Sequence, residues 1–180
     1  CLESLGSIMG SGGMVVMDED DCMVDIARFF MEFTVEESCG KCTPCRVGNK
    51  RILETLDRIT QGQGSEKDLP YLKELSEVIR DTSLCGLGQA ATNPVLSTLR
   101  YFENEYISHV KNKRCMAKVC RNLLVYFVGE GCIGCGLCKI NCPVKCIEGE
   151  RKIRHIIDPE KCIKCGTCME KCPVHAITLS

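Results

Sequence analysis

The chain has 180 residues, room for one or two ordinary domains, and it carries 17 cysteines and no tryptophan. Its formal net charge of −1 gives no electrostatic footing for nucleic acid or an anionic membrane surface. No apolar run approaches the ~18 residues of a membrane span, and the opening CLESLGSIMGSGG lacks the basic start and apolar core of a signal peptide, so a secreted disulfide scaffold is disfavoured. An odd cysteine count with most cysteines in C-x2-C clusters points instead to metal binding in a reducing, cytoplasmic setting. Because the chain opens at Cys1 in mid-pattern, it is expected to be the tail of a longer polypeptide.

In chain order, Met14-Val15-Val16-Met17 reads as a short buried strand, and Asp18–Asp21 as the N-cap and negative first turn of a helix. Ile26, Phe29, Phe30 and Phe33 give that helix an apolar face over 22–37. A helix over Asn49–Ile59 should turn Ile52, Leu53, Leu56 and Ile59 inward, and residues 61–65 form a turn. Another helix covers 66–81, with Pro70 tolerated in its first turn, and a last one runs over 93–110, a four-helix arrangement. From 113 onward short strands replace long helices, at Leu124–Val128, Ile153–Ile157 and Ile177–Leu179. Loop 9–13 is glycine-rich but opens no helix, so a turn outweighs a phosphate cradle.

Residues 132–147 and 162–177 repeat one pattern, C-x2-C-x2-C-x3-C-P, thirty residues apart. Three thiolates at this spacing wrap three corners of one iron–sulfur cube, while the fourth, on the helix that follows, serves the other cluster. One [4Fe–4S] cluster is therefore expected on Cys132, Cys135, Cys138 and Cys172, and a second on Cys142, Cys162, Cys165 and Cys168. Gly136 and Gly166 are expected to let backbone amides approach the sulfides. Zinc-ribbon chemistry is the competing explanation, and two full repeats with the terminal proline weigh against it. This segment looks like a bacterial two-cluster ferredoxin domain. A third motif, Ser38-Cys39-Gly40-Lys41-Cys42-Thr43-Pro44-Cys45-Arg46, supplies Cys39, Cys42 and Cys45, and the nearest free fourth ligand is Cys85 in S-L-C-G-L-G. Lys41 and Arg46 would offset cluster charge, and a zinc site or inert buried thiols remain alternatives at this point.

The run S-C-G-K-C-T-P-C-R-V-G followed by L-C-G-L-G resembles the flavin-carrying, NADH-oxidising subunit of respiratory complex I and its hydrogenase relatives. That resemblance implies a [4Fe–4S] cluster on Cys39, Cys42, Cys45 and Cys85 that takes electrons from FMN. It also implies that M-G-S-G-G-M-V-V-M-D-E closes a β-grasp domain, with the FMN and NAD(H) sites in a part of the protein upstream of residue 1. A fused two-cluster ferredoxin resembles the beta subunit of soluble NAD-reducing and electron-bifurcating [FeFe] hydrogenases, and similar NAD-linked formate dehydrogenases.

Five cysteines remain outside these clusters. Cys146 stands where the second repeat has Ala176 and reads as a small buried thiol, and Cys1 has no reading. Cys115 and Cys120 follow a helix carrying His109, and with Cys22 they could form a zinc knuckle on Cys22, His109, Cys115 and Cys120. A surface histidine beside buried thiols is the plainer alternative. His155 and His175 have no carboxylate or nucleophile at a suggestive spacing, and no catalytic residue is expected. Lysines 139, 145, 161, 164 and 171 read as solvated surface.

The expected fold is α+β: the end of a β-grasp domain over 1–18, a four-helix [4Fe–4S]-binding bundle over 19–112, a linker with the zinc site over 113–123, and a small ferredoxin-like domain over 124–180. The expected function is electron transfer through three [4Fe–4S] clusters between an upstream FMN/NAD(H) site and a hydrogenase-type subunit or external ferredoxin, with a branch for electron bifurcation. Other subunits, including small [2Fe–2S] ones, are the expected partners. The same module in an NAD-dependent formate dehydrogenase is one alternative, and a non-catalytic, metal-stabilised assembly module is another.

Overall fold

The structure, a computed structural model, describes residues 14–179. Residues 1–13, on which the glycine-rich loop and most of the β-grasp expectation fall, lie outside the described residues. Two compact units are present, with their boundary between Leu123 and Leu124. The whole is α+β, and no helix among the described residues is long and apolar enough to cross a membrane.

The first unit is helical. It contains α1 (Met23–Glu37), a π-helical turn (Pro44–Gly48), α2 (Asn49–Thr60), α3 (Asp68–Thr82), α4 (Gly86–Ala91), α5 (Asn93–Tyr101) and α6 (Glu103–Lys111). Its core is aliphatic: Val24, Ala27 and Met31 of α1 meet Ile52, Leu56 and Ile59 of α2, Leu72 and Ile79 of α3, and Val95, Tyr106 and Val110. Each fully buried aliphatic side chain contributes about 1.5–3 kcal/mol. The face of α2 is the one its periodicity predicts. Pro70 sits in the first turn of α3, where a missing N–H costs nothing.

Four expectations fail here. The run Met14–Met17 is exposed and forms no strand, because nothing among the described residues supplies a ladder for its backbone groups. On α1 the buried stripe is Val24, Ala27, Met31 and Thr34, whereas Phe29 and Phe33 are 57% and 54% exposed. The acidic run does not cap α1 either. Asp18 and Asp21 close a turn on themselves (Asp18 N–H to Asp21 Oδ2, 3.1 Å), and the free N–H of Met23 reaches Glu105 Oε2 at 3.0 Å. The helix expected over 93–110 is two helices broken at Phe102, whose φ of −127° leaves the helical region.

The second unit holds two antiparallel ribbons. Strand β1 (Tyr126–Val128) pairs with β4 (Ile177–Leu179), and β2 (Ile147–Glu148) with β3 (Ile156–Ile157). Each ribbon joins one strand from each half of the repeat, which closes the duplicated unit on itself. Between them sit α7 (Leu137–Ile140) and α8 (Thr167–Glu170), each preceded by a left-handed glycine, Gly136 and Gly166, with φ of +80°. A Cβ at Gly136 would meet nothing within 4 Å, so backbone conformation, not crowding, explains that glycine.

Candidate metal centres

In the helical unit, α1 ends at Glu37 and the chain passes Cys39 and Cys42 before the π-helical turn that carries Cys45. Such turns cluster at functional sites because they re-aim side chains within a helix. Cys45 points inward, 5% exposed, and receives Asn49 Nδ2 at 3.4 Å, with Ser38 Oγ at 3.3 Å. Arg46 Nη1 donates to the Gly40 carbonyl at 2.8 Å and closes the loop. Cys85 begins α4, and that loop comes back to the motif. The backbone N–H of Leu84, followed by that of Cys45, lowers the Cys42 thiol below its ordinary range. At Gly88 a Cβ would lie 2.5 Å from Ser83 Cβ and 3.3 Å from Cys45 Cβ, so only glycine lets α4 pack this close. Cys39 and Cys85 are exposed. The site thus has a walled side, rich in donors to sulfur, and an open side. Donors to sulfur with one thiol held toward thiolate suit an anionic iron–sulfur group.

The second unit contains two cavities ringed by cysteines, four around one and five around the other. One is lined by Cys132, Cys135, Cys138 and Cys172 with Val128, Ile133, His155 and Ile177. The other is lined by Cys142, Cys162, Cys165 and Cys168 with Tyr126, Pro143, Cys146 and Ile157. In the first, three cysteines come from one half of the repeat and Cys172 from the other; in the second, three come from one half and Cys142 and Cys146 from the other. The walls are apolar and the backbone faces sulfur: Ala176 N–H meets Cys172 Sγ at 3.3 Å and Lys164 N–H meets Cys162 Sγ at 3.4 Å. Burial raises the Cys138 thiol and pushes Cys168 up to about 11. Burial thus disfavours free thiolates at these two positions, and iron ligation would replace their protons with a cation that offsets the charge. His155, expected to have no special role in a strand of charged residues, is 2% exposed, and its Nδ1 has no partner among the described residues. A buried ring nitrogen without a protein partner at a cavity wall leaves a hydrogen-bonding position open to an occupant, and in its protonated tautomer it would suit an acceptor such as sulfide. Its alternation with Ile157 across the exposed Ile156 was the available signal. Cys146 Sγ lies 3.5 Å from Cys142 Sγ, and burial followed by the hydrogen bond to Cys142 pushes its thiol up to about 12.

A fourth group lies in the helical unit. The ligand atoms of Cys22, His109, Cys115 and Cys120 all fall within 4.8 Å of one another, and all four residues are buried. Cys22 Sγ stands 3.7 Å from Cys120 Sγ and 3.3 Å from His109 Nε2, and His109 Nε2 lies 3.4 Å from Cys120 Sγ. A tetrahedron with Zn–S of about 2.3 Å and Zn–N of about 2.0–2.1 Å has S–S edges of about 3.8 Å and S–N edges of about 3.6 Å. His109 Nδ1 donates to the Glu105 carbonyl at 2.8 Å, which fixes the tautomer and leaves Nε2 to face the sulfurs. Hydrogen bonds from Cys120 and Cys22 hold the Cys115 thiol low, and hydrogen bonding to Cys115 and Cys22 holds Cys120 high. Burial works against a charged His109, but the thiols of Cys115 and Cys22 outweigh it and push the imidazole up to about 10. Protons and charge are thus shared unevenly inside a dry pocket, the arrangement a divalent cation resolves by replacing them. Sequence reasoning missed Glu105, which caps α1 with its carboxylate and orients His109 with its carbonyl. It also missed Asn49, whose i,i+4 spacing from Cys45 was the signal.

Residues 25–109, which include Cys39, Cys42, Cys45 and Cys85, match the NADH-ubiquinone oxidoreductase-F iron-sulfur binding region. The helical unit is thus similar to an NADH-oxidoreductase-F iron–sulfur region over residues 25–109. Residues 155–178, with Cys162, Cys165, Cys168 and Cys172, match a 4Fe-4S binding domain, so the chain joins two kinds of 4Fe-4S binding region. It is 60% identical over 155 residues to the NADP-reducing hydrogenase subunit HndC of Solidesulfovibrio fructosivorans, covering 86% of this chain and 32% of that protein. It is 40% identical over 114 residues to the F 2 subunit of NADH-quinone oxidoreductase in Rhizobium meliloti (strain 1021), covering 63% of this chain and 27% of that one. Among solved structures, an NAD+-reducing [NiFe]-hydrogenase in the H2-reduced state aligns with a TM-score of 0.51 and 36% identity over 53% of this chain and 16% of that chain. The chain spans about a third or less of the length of these relatives. The F-region module therefore occurs both in hydrogenase and in NADH-quinone oxidoreductase subunits.

Proposed function

We propose that this chain is the electron-relay segment of an NAD(P)-linked hydrogenase-type complex and holds three [4Fe–4S] clusters and one zinc ion. The first cluster is assigned to Cys39, Cys42, Cys45 and Cys85, the second to Cys132, Cys135, Cys138 and Cys172, and the third to Cys142, Cys162, Cys165 and Cys168. Zinc is assigned to Cys22, His109, Cys115 and Cys120, where it would tie the segment 113–123 to the helices of the first unit. The observation that carries this reading is the pair of cavities, each lined by the three C-x2-C-x2-C cysteines of one repeat together with the C-P cysteine of the other. The 60% identity to part of a hydrogenase favours the hydrogenase setting over the formate dehydrogenase one.

The clusters would supply one-electron storage. The chain's own residues set how readily that electron is held. Asn49 and Ser38 donate to Cys45, backbone amides face Cys42, Cys162 and Cys172, and apolar side chains of the second unit line both cavities. The FMN and NAD(H) sites, the hydrogenase-type and small [2Fe–2S] subunits, and external ferredoxin belong to the same proposal. So does a branch of electrons between nucleotide and ferredoxin, which rests on the sequence resemblance to bifurcating hydrogenases.

Iron, acid-labile sulfide and zinc quantification on anaerobically purified protein, with low-temperature EPR, tests the assignment. About twelve irons from three four-iron centres and one zinc are expected within this segment. Zinc at the cluster positions without inorganic sulfide would sink the relay, and iron without zinc would remove the fourth site alone.

A further inference from the structure

The two halves of the second unit are not chemically equal around their clusters. Cys142 and Cys172 are equivalent in the repeat, and each is followed four residues later by a different side chain, Cys146 and Ala176. The backbone N–H of Cys146 faces Cys142, just as Ala176 N–H faces Cys172 Sγ at 3.3 Å. Both halves therefore share the backbone donor. The thiol is the addition. Cys146 is 3% exposed, and its Sγ sits 3.5 Å from Cys142 Sγ, inside the distance for a hydrogen bond between sulfurs.

A cysteine ligating iron is a thiolate with no proton to give. In the contact between Cys142 and Cys146 only Cys146 can then donate. We propose that the Cys146 thiol donates a hydrogen bond to Sγ of Cys142 and raises the reduction potential of the cluster on Cys142, Cys162, Cys165 and Cys168, setting it apart from its twin. The inference rests on the ligand assignment above. Reduction adds one electron to the cluster and makes its thiolate sulfurs more negative, so a donor to one of them stabilises the reduced form more than the oxidised form. Cys146 touches the cluster's ligand, not the reacting partners, and is a positioning residue. Its burial strengthens the effect, because water does not compete for the sulfur.

The test is an EPR-monitored redox titration of the full-length protein with Cys146→Ala, Cys146→Ser and Ala176→Cys. Cys146→Ala copies the other half of the repeat. It should shift the reduced-to-oxidised ratio of one ferredoxin-type cluster about two- to tenfold toward oxidised at a fixed potential, the range of one net hydrogen bond. A tenfold shift is about 59 mV for a one-electron couple. Cys146→Ser keeps a donor and should hold the ratio nearer the parent value. Ala176→Cys should move the other cluster in the opposite sense. Unchanged ratios in both Cys146→Ala and Ala176→Cys overturn the inference. If Cys146→Ala loses iron, Ala176→Cys decides alone: a raised step supports the inference and an unmoved one overturns it. A parent protein without iron and sulfide would overturn the ligand assignment itself, and this inference with it.

Discussion

Gly134 and Lys164 hold the same place in the two cysteine loops, and both have positive φ, +65° and +57°. Only one of them has to be glycine. A Cβ at Gly134 would lie 2.5 Å from the backbone nitrogens of Lys152 and Ile153, which cannot move aside as a side-chain end could. Gly134→Ala is therefore expected to add this clash to the ~1–2 kcal/mol of a left-handed alanine. Iron analysis should show loss of the cluster lined by Cys132, Cys135, Cys138 and Cys172. Lys164 bears the conformational cost without the clash. Lys164→Gly is expected to leave the iron content unchanged and the Tm equal or slightly higher, the relief of strain being offset in part by the entropy of a freer unfolded chain. Equal iron loss in both variants would contradict this division.

At the scale of elements, α1 shows how a buried cysteine–histidine pocket can dictate a helix end. Cys22 stands at the N-cap position but turns its sulfur to His109 and Cys120, so the capping carboxylate comes from Glu105 of α6 instead. Glu105→Ala is expected to cost about 1 kcal/mol in chemical denaturation, the value of a lost N-cap, and Glu105→Gln less, because an amide oxygen still accepts. A loss confined to zinc content with unchanged stability would speak against the capping role. This also explains what the sequence could and could not disclose. The stripe Ile52, Leu56 and Ile59 was legible because a 3.6-residue period needs no knowledge of the partner. The buried face of α1 was not, since Phe29 and Phe33 repeat as well as Val24, Ala27 and Met31, and only the packing of α2 and α5 chooses between them. The break at Phe102 carries no glycine or proline to announce it. The grouping of cysteines around the two cavities of the second unit follows from the spacing of the repeat, whereas Glu105 acts through contacts that spacing does not encode.

At the scale of the molecule, the proposed assignment makes the two units depend on metal unequally. The helical unit has an aliphatic core drawn from α1, α2 and α3. Unit Leu124–Ser180 has strands of two or three residues, helices of four, and a core in which Cys138, Cys146, Cys168 and Cys172 sit among a few aliphatic side chains. That is below the about 70–80 residues at which a core alone suffices. Removing iron with a chelator is expected to make Leu124–Ser180 the first part digested in limited proteolysis, with a fragment containing α1–α6 outlasting it. Equal survival of both units would show that sulfur packing alone holds the smaller one.

The exchange of Cys142 and Cys172 between the two cavities also sets a timetable. During translation the first loop emerges with three sulfurs and must wait for Cys172, while Cys142 waits in turn for Cys162, Cys165 and Cys168. On the proposed assignment neither site can be loaded as its own half leaves the ribosome. Both become receptive within four residues of each other, almost at once, and a chain stalled at Cys162 would offer iron no finished berth in this unit.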